Sequence, residues 1–78
     1  MSKIQVTEQM GERYAQAKTN ISWAQPALFG KVDLTALRTT MNELHRAWPG
    51  SIYADENFPA LLDRFDAEWS EVMRQCQV

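Results

Sequence analysis

Between Phe58 and Cys76 the apolar residues Phe58, Leu61, Leu62, Phe65, Trp69, Val72, Met73 and Cys76 recur at intervals of three and four. At about 100° per residue, this spacing gathers them into one stripe about 120° wide, the pattern of a helix with a buried face. A face that broad has to lie against something, and two shorter amphipathic segments precede it. Val6, Met10, Tyr14, Ala17, Ile21, Ala24 and Leu28 form the first stripe, and Leu34, Leu37, Met41, Leu44 and Trp48 the second. On continuous helices each set falls within about 80°. The spacing therefore predicts an all-α fold, a small three-helix bundle with helices over about 6–24, 34–48 and 59–76. One domain covers 1–78, close to the size at which burial only just outweighs chain entropy.

The boundaries follow from local chemistry. Ser2 with Gln5, or Thr7 followed by Glu8, can cap the first helix, and the sequence does not choose between them. Gly11 lies off the stripe and costs about 1 kcal/mol relative to Ala. Pro26 disfavours helical geometry at Gln25, so the helix is expected to end or kink near Ala24, with one further turn over Pro26 to Phe29 closed by Gly30. Asp33 reads as the N-cap of the second helix and Val32 as a staple on Leu37. Pro49 and Gly50 stop that helix in a tight turn. Ile52 and Tyr53 are expected to tuck against the bundle. Pro59 suits the first turn of the third helix, with Asp55, Glu56 and Asn57 ahead of it.

Composition excludes several function classes. With 45% hydrophobic and 23% charged residues, disorder over the whole length is not expected. The start lacks a basic and apolar leader, and no run of about 18 apolar residues exists, so the expectation is a soluble, cytoplasmic protein with no membrane contact. One His and one Cys, without Glu-x-x-His or paired cysteines, leave no metal or cofactor signature. Asp55, Glu56 and Asn57 do not begin a calcium loop, because Ala60 stands where such a loop requires Gly. His45 lies at the edge of the second stripe and reads as a packed residue. Cys76 reads as a small buried hydrophobe or a terminal residue, and no nucleophile–base pair is indicated.

Charge is unevenly spread. Residues 1–50 carry six Lys/Arg against four Asp/Glu, whereas residues 51–78 carry two against six. Asp63 and Asp66 share one side of the third helix; Glu68 and Glu71 share the other with Arg64, which is placed to pair with Glu68 at i,i+4. A solvated polar face is the ordinary reading, and an electrostatic docking face for a basic partner the functional one. Trp23 points about 140° from the centre of its own stripe. Either it is exposed beside Pro26, Ala27 and Phe29 as an interface anchor, or the chain bends before it and turns it inward, the more ordinary outcome.

These features point to a small non-enzymatic protein-binding module, an accessory subunit, adaptor or inhibitor docking on a larger protein through Trp23, Phe29, Asp63 and Asp66. A self-associating structural protein, a homodimer using the near-heptad first stripe, is the alternative. Nucleic-acid binding ranks lower: the acidic third helix repels phosphate, and the link between helices two and three is too long for a helix-turn-helix. A DNA mimic wants more charge than a net of -2.

Overall fold

A computed structural model describes residues 2–76. The elements run β1 (Lys3–Gln5), α1 (Glu8–Ala27), α2 (Thr35–Ala47), β2 (Tyr53–Asp55) and α3 (Phe58–Cys76). The three helices form the expected all-α bundle, to which the two short strands add a small sheet.

Of the two possible starts for α1, the molecule uses Thr7, whose hydroxyl oxygen accepts from the Met10 N–H at 3.2 Å, with Glu8 in the first turn. Val6 lies outside the helix, its N–H donating to the Ile52 carbonyl at 2.9 Å. The expected end near Ala24 is not observed. The helix runs through Pro26 to Ala27, and the Leu28 N–H still reaches the Ala24 carbonyl at 2.8 Å. Pro26 sits in the last turn, where its fixed φ is compatible with helix and only the carbonyl of Ser22, an exposed residue, loses its donor. Gly30, at φ 77°, then turns the chain in the left-handed region that favours glycine.

Asp33 serves the start of α2 from one residue further out than expected, because the helix begins at Thr35 rather than Leu34. Its Oδ1 accepts from the Thr35 N–H at 2.9 Å. Hydrogen bonds from Thr35, side chain first and then backbone, hold the carboxyl below its ordinary value of 3.8. The contact is therefore fully present above that ordinary value and is lost as pH falls through the lowered one. At the other end the Trp48 N–H closes on the Leu44 carbonyl at 3.0 Å, and Gly50 takes φ 107°. In α3, Phe58 and Pro59 open the helix, and the Asn57 carbonyl accepts from Leu61 at 3.0 Å.

The sheet is the element that helical periodicity does not reveal. Lys3, Ile4 and Gln5 pair antiparallel with Asp55, Ala54 and Tyr53, and Lys3 Nζ lies 2.7 Å from Asp55 Oδ1. Strand alternation sends Ala54 fully inward under half-buried Ile4 and turns Tyr53 out. Ile52 and Tyr53 are thus 65% and 51% exposed, contrary to the expectation that they tuck in.

α1 and α3 run in the same direction with α2 antiparallel to both. Tyr14 meets Trp48 at the end of α2 and Phe58 at the start of α3, while Trp23 meets Trp69 further along. The core joins Ala17, Ile21, Ala24 and Leu28 with Leu37, Met41 and Leu44, and with Phe58, Leu61, Leu62, Phe65 and Val72. Every residue of the three stripes is buried or packed on this core except Cys76, which is exposed in the last helical position described.

Candidate functional site

Three surface features bear on function. The first lies along the seam between α1 and α3. Trp23 is 53% exposed, and its ring meets half-buried Trp69 edge-on, with centroids 6.2 Å apart and planes at 74°. α1 runs straight past Trp23, so the inward bend does not occur. Trp69 belongs to the broad α3 stripe, and Met73, also half-buried, follows it by one turn. Towards the start of the same seam Arg13 donates to Asp63 Oδ1 at 2.8 Å and to Asp66 Oδ2 at 2.6 Å. These bonds, Asp63 first, hold the guanidinium protonated beyond its usual range. Both carboxylates remain well exposed, at 74% and 64%. Their charge is thus partly matched within the chain. Phe29 is 85% exposed but stands apart from Trp23, in a hollow with Gln25, Val32, Leu34 and Arg38 beside the start of α2.

The second feature is polar and joins α2 to α3. Thr40, 1% exposed, donates to Glu68 Oε1 at 2.5 Å and accepts from Arg64 Nε at 3.1 Å. Arg64 also pairs with Glu43 across the helix interface. The expected Arg64–Glu68 pair along α3 is therefore replaced: both side chains reach to α2 and meet on the Thr40 hydroxyl instead. This arrangement ties α2 to α3 through polar contacts.

The third feature is a groove of about 590 Å³ between α1 and the end of α2, bordered by Gly11, Tyr14, Lys18, His45, Trp48 and Pro49 among others. The Tyr14 ring lies edge-on to Trp48 with centroids 5.0 Å apart and at 88° to His45. Its hydroxyl hydrogen-bonds to His45 Nδ1, and burial pushes the phenol pKa up. The Trp48 indole N–H is taken by the Ser51 carbonyl. His45 is packed as expected, although its residue surface stays exposed.

No protein-family model, curated protein or solved structure matches this chain. Among the described residues no group of three His, Cys, Asp or Glu side chains is placed to hold a metal ion, and no helix is long and apolar enough to cross a membrane.

The groove accounts for the placing of Gly11, which the stripe left unexplained. A Cβ there would meet the Trp48 ring at 3.8 Å, an ordinary contact, so the site is open enough for alanine. Gly11→Ala is expected to raise stability by about 0.5–1 kcal/mol through helix propensity alone. Thermal unfolding followed by circular dichroism should show the midpoint rise by several degrees. A lower midpoint would mean that the Trp48 ring cannot accommodate the methyl.

Proposed function

We propose that the chain is a protein-binding module that docks through the α1–α3 seam, with Trp23 as the anchor. The observation that carries this reading is an exposed tryptophan braced edge-on by a second one. Bracing fixes the ring before binding, which reduces the side-chain entropy lost in the complex. Tryptophans in such positions dominate interface energetics, and charged groups at the rim add orientation more than affinity. Asp63 and Asp66, tied to Arg13, supply that rim, and Phe29 a separate apolar contact at the same end of α1. Self-association through the first stripe is disfavoured, because its residues are already committed to the internal core.

The test compares wild type with Trp23→Ala as bait in extracts of the native cell, followed by titration of the purified partner. Trp23→Ala should keep the helical spectrum and melting midpoint to within a few degrees, since half of the side chain already faces water. It should weaken the partner by about 30-fold or more, the loss typical of a central anchor. Equal affinity in the variant, or unfolding of the variant, would remove Trp23 from the interface. Reversing Asp63 and Asp66 to Lys should change the association rate and its salt dependence, and no change would show that the acidic pair serves only Arg13.

A further inference from the structure

We propose that the groove between α1 and the end of α2 binds a small planar aromatic anion, a ring system carrying a carboxylate. This site stands apart from the α1–α3 seam and does not depend on the docking reading.

Shape comes first. At about 590 Å³ the groove is within the range of small-molecule sites, which are apolar hollows with a few converging polar groups. Its α2 side presents the Trp48 ring and Pro49, and Tyr14 stands edge-on to Trp48. On the α1 side Gly11 lies close against the Trp48 ring, and the small Ala15 and Thr19, one turn apart, border the groove beyond it. Exposed aromatic ring faces give a flat ring a surface to stack on.

The charge of the ligand follows from the polar groups. Among the described residues that border the groove, Lys18 is the one ionic side chain apart from His45, and none is a carboxylate. Among the described residues Lys18 makes no ion pair, and its Nζ lies 5.7 Å from the centre of the Tyr14 ring. That position fills the cation site over Tyr14 from within the chain, so an ammonium ligand meets repulsion where a carboxylate meets attraction. The Tyr14 hydroxyl is taken up by its hydrogen bond with His45 Nδ1. Trp48 has spent its N–H on Ser51 and offers only its ring. The groove therefore combines π surfaces with the Lys18 ammonium and, among the described residues, has no bordering carboxylate, the complement of an aromatic acid.

Three probes with one ring and three charges test this: indole-3-acetate, indole-3-ethanol and tryptamine, each titrated into the ¹⁵N-labelled full chain. Indole-3-acetate should saturate at millimolar concentration and shift the Trp48 indole N–H and the Gly11 and Gly50 amides. The alcohol should bind roughly five-fold more weakly and tryptamine more weakly still, the scale expected of one partly exposed ion pair. Lys18→Gln, at an exposed position, should leave the melting midpoint unchanged and reduce indole-3-acetate to the affinity of the alcohol. Tryptamine binding as tightly as the acid, an unaffected Lys18→Gln variant, shifts centred on Trp23 and Trp69, or no saturable shift at all would each overturn the proposal.

Discussion

Phe58→Ala is expected to remove about 3–5 kcal/mol of stability, the largest loss of any single truncation in this chain. The side chain is fully buried at the point where the sheet and all three helices converge. Its ring centre lies 6.0 Å from Tyr14 and 5.5 Å from Trp48, both in tilted contact, so removing it leaves a cavity under two half-buried aromatic rings. Those rings are anchored elsewhere, Tyr14 on His45 and Trp48 on Ser51, and cannot collapse freely into the space. A chain of 78 residues has a total stability of about 4–12 kcal/mol at the usual value per residue, so the loss is about a quarter or more of the total and at the low end of that range brings the variant to its unfolding midpoint in water. Urea titration followed by circular dichroism measures the difference. A loss below about 1 kcal/mol would show that the aromatic cluster packs loosely and that the core lies further along the bundle.

Thr40→Val should cost about 1–3 kcal/mol although the two side chains have nearly the same shape. The hydroxyl is the meeting point of Glu68 and Arg64, so its removal strands a donor and an acceptor that only partial exposure lets water recover. Thr40→Ser separates this effect from packing: it keeps the hydroxyl, deletes one methyl and should cost about 1 kcal/mol. Equilibrium unfolding of both variants ranks them. If serine proves as damaging as valine, the methyl matters and the hydrogen bonds contribute little. The same pair of variants tests whether Arg64 remains with Glu43 once its second partner is gone.

The helices and their inward faces were readable because twenty apolar residues keep a three-four rhythm, widened by the adjacent pairs Leu61–Leu62 and Val72–Met73, and burial follows that rhythm with Cys76 as the departure. Trp23 departs from the more ordinary expectation: α1 does not bend before it, so an apolar residue well off the stripe of a straight helix stays outward. Pro26 shows a limit of sequence rules: proline breaks a helix in its interior, whereas here it stands in the final turn. The strands escaped because three residues of alternation are too few to stand out, and their pairing is set by tertiary contact. Arg13 with Asp63 and Asp66, and Arg64 with Glu43, escaped for a different reason. Spacing along one helix says which side chains share a face, but not which residue of another helix will stand opposite. The groove is of that kind, assembled from Gly11, Tyr14 and Lys18 on one helix and from His45, Trp48 and Pro49 some thirty residues later. Of its parts only the unexplained Gly11 was a sequence signal, a helix-weakening residue with no packing reason of its own.

The register of the small sheet also governs the order of events during synthesis. Lys3 and Asp55 are 52 residues apart, so at about 5–20 residues per second β1 exists for several seconds before its partner is made. Through that interval its edge is open, and Lys3 at its first position is the kind of charge that discourages pairing with a wrong strand. Sheet closure depends on the last link of the chain to be placed, the segment leading into α3. The two strands therefore act as a clasp, closing a loop of some fifty residues between the start of the chain and the segment that leads into α3.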